Sequence, residues 1–183
     1  MNNPNNVGVP MKRWHAGHLV FFVLIQGNVV ALERFEKAIK DGDFAKARDA
    51  LRAASIFMVA SAAAMRFAGL YSRQAYDSEV VPTMSPPNVP EGFSGLLSRD
   101  HRALVRLITR LRPIFKSLPI ELAHDHRFFL DCYQAAYASH KHVCSRFGGD
   151  ERGSLLMGAQ SKKTSVGTLA GLEAARLKAS KGL

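Results

Sequence analysis

Two long stretches without proline, residues 14–40 and 44–71, are joined only by Asp41-Gly42-Asp43, and this arrangement constrains the fold more than any other feature of the chain. A glycine that can stop one helix beside an aspartate that can cap the next predicts a helical hairpin. In the first stretch Leu19, Phe22, Val23, Val29 and Val30 lie beside a second stripe of Phe21, Ile25, Leu32, Phe35 and Ile39, which predicts burial on two sides. In the second, Ala50, Leu51, Ala54, Met58, Ser61, Ala62 and Met65 share one face. Such small side chains suit close helix packing, or leave space for a flat ligand.

A hairpin of this kind has to be completed by further helices, because alternating β-branched runs bounded by turns are few. Residues 77–97 break the pattern: Pro82, Pro86, Pro87, Pro90, Gly92 and Gly95 predict a long loop, which inside a compact domain is usually functional. Ser98 caps a third helix reaching about Lys116, with Pro113 near its end, and Pro119 opens a fourth that runs to Phe147. Glycines at 148, 149, 153 and 158 precede a shorter basic helix over about 165–178. With 183 residues there is room for one domain. The expected fold is all-α, an antiparallel bundle of about four long helices plus a short C-terminal helix. Residues 1–13 are expected to form an arm, 14–160 the helical domain and 161–183 a basic tail.

Charge narrows the function classes. The net charge is +10, which favours nucleic-acid binding through counterion release, but about half the excess lies in residues 162–181, with five basic side chains against Glu173 alone. The remainder is scattered over helices as solvated faces, so nucleic acid is not the expected partner; anionic ligands and haem propionates would be welcomed by the same charge. Cys132 and Cys144 follow no secretory signal, and residues 18–32, the most apolar run, are shorter than a spanning helix needs. A cytoplasmic protein without a membrane segment is expected. Nothing resembles a nucleophile elbow, a phosphate loop or a dinucleotide fingerprint.

On the fourth helix Phe129, Cys132, Tyr133, Ala136, His140, Val143 and Phe147 recur at spacings of three and four, setting His140 in the middle of an apolar face. A histidine there is either a satisfied core side chain or a neutral imidazole able to ligate haem iron. His142 points elsewhere, whereas Cys144, at i+4, shares the face of His140. His15 with His18, and His124 with His126, lack the carboxylates that build a di-iron bundle and are discounted as metal pairs.

Three stretches then resemble the tryptophan 2,3-dioxygenase-like haem proteins. Residues 15–26 are similar to the His-Asp-Glu-x-x-Phe-Ile-x-x-His-Gln segment of that family's first helix; Gly92-Phe93-Ser94-Gly95-Leu96-Leu97-Ser98-Arg99 aligns with Gly-Phe-Gln-Ser-x-Gln-Phe-Arg; and His140 stands six positions before Arg146 and thirteen and fourteen before Gly153-Ser154, the family's offsets from its proximal histidine. The resemblance implies haem b on His140, with Arg146 and the Leu24 region beside it. It implies a substrate site from Val20, Gly92, Phe93, Arg99, Gly153 and Ser154, and a homo-oligomer acting with dioxygen on an aromatic small molecule, indole-type molecules included. Two departures matter: the family's distal histidine falls at Leu24 or Ile25, and its carboxylate-binding arginine near Asp77. The alternative is a non-enzymatic helical module that binds haem or an anionic partner.

Overall fold

The computed structural model describes residues 8–90, 92–151, 153 and 164–180, and among these there is no strand. Six α-helices occur: α1 (Val9–Lys40), α2 (Phe44–Ala68), the one-turn α3 (Arg73–Ala75), α4 (Arg99–Lys116), α5 (Ala123–Arg146) and α6 (Ser165–Ser180). The all-helical bundle expected from the sequence is the fold observed.

Local chemistry sets the boundaries. Helix α1 begins five residues before Trp14, because Pro10 in its first turn fixes a helical φ where the missing N–H is not needed. At the hairpin Gly42 takes a φ of 73° and the Asp43 carboxylate accepts the Lys46 N–H at 3.0 Å, a stop followed directly by a cap. Ser98 caps α4 by accepting the His101 N–H at 3.3 Å. The Pro-rich stretch is folded more tightly than a loop: a π-turn over Tyr76–Val80 runs into a 3₁₀ turn over Val81–Met84, with a second 3₁₀ turn at Gly95–Leu97. Val80 and Met84 bury against Met11, so this segment covers the start of α1.

Leu32, Phe35, Leu51, Ile108, Leu111, Leu122 and Phe129 are the fully buried centre of the bundle. Asn28, buried in the same region, satisfies its amide with α2 once oriented to match, donating to the Ala54 carbonyl at 3.3 Å and accepting from the Met58 N–H at 3.2 Å. Helices α2 and α5 are clasped twice, by buried Asp125 accepting from Arg52 at 2.6 Å and by Arg66 donating to Ser139 at 2.9 Å. Close approach of α1 to α2 depends on Gly17, where an added Cβ would lie 2.5 Å from the Ala68 Cβ and 2.7 Å from its Cα.

The outward face of α1 is apolar, with Leu19 69% and Val23 66% exposed. Both α1 and α2 are long and apolar enough to cross a membrane by length and composition, although the sequence reading of residues 18–32 stopped short of that; 28% and 44% of their most apolar windows are buried within the bundle. The C-terminal basic segment is not merely a solvated tail. Leu172 and Leu177 pack on the core, and Lys141 pairs with Glu173 at 2.7 Å.

Candidate functional site

The mid-helix imidazole of α5 opens onto a cavity of about 350 Å³, within the roughly 300–1,000 Å³ typical of small-molecule sites. Helix α1 contributes Trp14, His18, Phe21, Phe22 and Ile25, and α2 contributes Met58, Ser61, Ala62, Met65 and Ala68. Tyr71, Tyr76, Met84 and Phe93 come from the covering segment, while Tyr133, Ala136, Tyr137, His140, Val143 and Cys144 form the α5 wall. Thr168, Leu169, Leu172 and Arg176 of α6 close the remaining side. The walls are apolar and aromatic, with small residues between them. Polar side chains among the described lining residues include His18, Tyr71, His101, Tyr137, His140 and Arg176.

Two of these, His18 and His140, are imidazoles on different helices. Burial lowers the His140 pKa to about 4, with His18 and Arg176 nearby opposing a further positive charge, so it is a neutral imidazole at neutral pH. No described residue hydrogen-bonds to it. His18 is also held neutral, its pKa lowered chiefly by burial and opposed by its bond to Trp14. Because a carbonyl only accepts, the 2.7 Å contact of His18 Nδ1 with the Trp14 oxygen fixes the proton on Nδ1 and leaves Nε2 as a lone pair. Trp14 lies against that ring at 4.3 Å between centroids and Phe93 meets it edge-on at 6.0 Å.

A further polar set sits beside them. Arg176 Nη1 donates to His101 Nε2 at 2.9 Å and to the Tyr137 hydroxyl, and its guanidinium carbon lies 5.8 Å from the Tyr137 ring centroid. His101 can only be the acceptor in that bond, which agrees with a pKa lowered to about 4 by burial, Arg176 and His140. Cys144 shares the cavity with His140, but burial, with Asp150 adding, pushes its thiol up to about 11, so it is a protonated thiol. The Tyr71 hydroxyl is buried with no hydrogen-bond partner among the described residues, and its ionisation is driven up by that burial, an orphaned donor at the cavity wall.

Among the residues singled out from sequence, His140, Phe93 and Gly153 line the cavity. Gly92 stands just behind it, buried at φ 75°, a backbone conformation that lets the chain turn so that Phe93 enters. Val20 and Leu24 do not line it: they lie two and six residues beyond His18, about 200° and 240° around the helix, and Val20 is 52% exposed. Arg99 is exposed at the start of α4 and Arg146 on the outside of α5, where its guanidinium donates to the Tyr71 carbonyl at 3.2 Å. Ser154 lies outside the described residues.

From sequence, His18 is discounted, with His15, as a metal pair, and His101, Tyr137 and Arg176 are not singled out. His18 had a usable signal, since Phe21, Phe22 and Ile25 follow it at i+3, i+4 and i+7. The imidazole missing at Leu24 or Ile25 is thus present one to two turns earlier. No group of three or more His, Cys, Asp or Glu side chains capable of holding a metal ion occurs among the described residues. Neutral imidazoles, aromatic side chains and small wall residues are instead a lining that would suit a flat metal macrocycle.

Fold and site together define a class: an all-helical protein with a partly open, largely apolar cavity lined by three neutral histidines, His18, His101 and His140. Residues 1–125 match the SfmD 3-methyl-L-tyrosine peroxygenase family, and the chain belongs to that family. It is 32% identical over 169 residues to 3-methyl-L-tyrosine peroxygenase of Streptomyces lavendulae, an alignment covering 92% of this chain and 46% of the relative. The chain therefore spans about half the length of the curated relative it matches. No solved structure matches it. By its name the relative oxidises an aromatic amino acid, the broad chemistry expected from the sequence; dioxygenation and an indole-type substrate have no counterpart in that name, nor is membership of the tryptophan dioxygenases themselves found.

Proposed function

We propose that the cavity holds a haem-type iron porphyrin together with an aromatic amino acid, and that the protein serves peroxide-dependent hydroxylation of the aromatic ring. The balance is a ring C–H and hydrogen peroxide giving a ring C–OH and water, with no further reductant needed. The observation that carries this reading is the opening of His18 and His140, both neutral, onto one apolar cavity. When bound, the porphyrin iron supplies the redox chemistry of oxygen transfer.

The chain's own residues supply the rest. His140 would hold the iron, because a neutral imidazole in an apolar wall is not in competition with protons at physiological pH. His18, its Nδ1 proton committed to the Trp14 carbonyl, offers Nε2 as the acceptor for a proton given up by peroxide. Phe93 and Tyr76 flank the space for an aromatic guest, and the orphaned Tyr71 hydroxyl offers it a hydrogen bond. Val143, Leu169 and Leu172 keep the cavity apolar and exclude water.

The test is haemin titration followed by the Soret band and by fluorescence of the single tryptophan, Trp14, which stands in the cavity wall. Stoichiometric quenching with a histidine-type spectrum is expected, with transfer of labelled oxygen from peroxide to L-tyrosine or its 3-methyl derivative. An unchanged spectrum and affinity in His140→Ala would remove the proposed ligand.

A further inference from the structure

The reverse of the cavity is an apolar face shared by α1 and α2. These helices turn His18, Phe21, Ile25, Met58, Ser61 and Met65 toward the cavity. On the outward side of α1, Leu19, Val20, Val23 and Val30 form a row; on α2 and just beyond it, Ile56, Val59, Ala63, Phe67 and Leu70 form another. The rows adjoin. Gly27 belongs to the first, and a Cβ built on it would lie 3.1 Å from the ring of Phe57, the neighbour of Ile56. The eight large side chains in the two rows are each 46–69% exposed. Residues 14–32 and 53–65 contain no Lys, Arg, Asp or Glu, and Arg66 is drawn off the face to Ser139 of α5 at 2.9 Å. Contiguous exposed apolar surface of this extent marks a place of association.

Area and length choose the occupant. The exposed part of those eight side chains comes to about 700 Å² on one copy. Two such faces laid together would bury about 1,400 Å², inside the roughly 1,200–2,000 Å² of stable protein associations. A bilayer asks for more length: the α1 row, with Ala16 at its start, covers about 21 Å, against a hydrocarbon core of about 30 Å. Lys12 and Arg34, both exposed, stand on the same row one turn before Ala16 and one turn after Val30. An antiparallel helix pair also has the right shape for its own copy, since two pairs stacked face to face make a four-helix arrangement in which side chains interlock.

We propose that this face is the contact between two copies of the chain, related by a twofold axis passing near Val23 and Ala63, the midpoints of the two rows. The cavity, on the opposite side of the same helices, stays open in such a pair. Because the contact is isologous, one substitution enters it twice, and a charge at its centre is desolvated in both copies.

The experiment is sedimentation velocity of the whole chain over roughly 1–100 µM. Wild type should pass to twice the chain mass as concentration rises. Val23→Glu and Ile56→Glu, at exposed positions and each checked by far-ultraviolet circular dichroism and thermal melting, should weaken pairing by about tenfold to a hundredfold. Ile120→Glu adds the same charge at an exposed position outside both rows and should pair as wild type does. Where a glutamate variant fails to fold, Val23→Ser takes its place with the same direction expected. A wild type that stays a single chain throughout overturns the proposal. So does a pair that Val23→Glu and Ile56→Glu leave intact, since its contact then lies on another face. Flotation with phosphatidylcholine vesicles runs in parallel: binding of a monomeric wild type, lost in Val23→Glu, would assign the face to a membrane and overturn the pairing. None of these readouts involves the cavity, so the result stands whether or not haemin binds.

Discussion

Replacing glycine by alanine at three positions separates helix propensity from helix contact with opposite signs. Inside a helix the exchange gains about 1 kcal/mol, because glycine loses more backbone freedom on folding. At Gly171, on the exposed face of α6, an added Cβ meets nothing within 4 Å, so the full gain should appear, raising Tm by about 2–4 °C in a chain of this size. At Gly27 the new methyl would lie 3.1 Å from the rim of the Phe57 ring, which can shift by a few tenths of an ångström; gain and crowding should nearly cancel. At Gly17 the methyl would lie 2.5–2.8 Å from the Ala68 Cβ, Cα and N, part of the α2 backbone, which cannot swing aside. The helices must separate, and overpacking of that kind costs about 1–3 kcal/mol. After subtracting the propensity gain, Gly17→Ala should be less stable than wild type by about 0–2 kcal/mol, and less stable than Gly171→Ala by about 1–3 kcal/mol. Because Ala68 and Gly69 line the cavity next to His18, the same change should weaken haemin binding. Urea unfolding monitored at 222 nm measures all three proteins. A Gly17→Ala protein as stable as Gly171→Ala would refute the claim that backbone contact, not propensity, governs the α1–α2 joint.

Acid should destabilise the ligand-free protein through His101. Its folded pKa lies near 4, below the ordinary 6.5, so between those values the unfolded chain binds a proton that the native state does not; stability falls with falling pH by up to about 1 kcal/mol per unit after allowance for partial exposure, and His101→Gln should reduce the slope of the urea midpoint against pH without abolishing it, because His140, also near 4, keeps its own share. Tyr71→Phe removes a buried hydroxyl without a partner, so the empty protein should gain up to about 1 kcal/mol in denaturant titrations while losing affinity for a guest that accepts a hydrogen bond. Asp125→Ala strands Arg48 and Arg52, at 3.4 and 2.6 Å from the carboxylate; because both arginines are partly solvated the loss should be about 1–3 kcal/mol, and an unchanged melting temperature would show the clasp to be inert.

How much of this could be read from the chain depends on the length scale of the interaction. The hairpin, with Gly42 and Asp43 as stop and cap, is local chemistry and was legible residue by residue, as was the Ser98 cap. His140 was legible as a core-facing imidazole because helical period alone places it. The expected distal wall missed the cavity because it was anchored on an alignment at Leu24 rather than on the phase of Trp14, His18, Phe21 and Ile25, the positions that face inward. Arg176 could not be found by period or motif. It meets His101 and Tyr137, residues seventy-five and thirty-nine positions away, and sequence carries no trace of that meeting. The Pro- and Gly-rich segment was read as irregular because its residues disfavour α-helix; the π and 3₁₀ turns it adopts are short enough to escape that penalty.

The two imidazoles stand on α1 and α5, long rods braced along the main core, whereas Phe93 and Arg176 arrive on separate pieces laid over the opening. Division of labour of this sort lets the shape of the opening be changed by exchanges in the covering pieces while the two imidazoles stay where they are. A laboratory seeking new substrates should therefore randomise Tyr76, Met84, Phe93, Thr168 and Leu172 first and leave the rods alone.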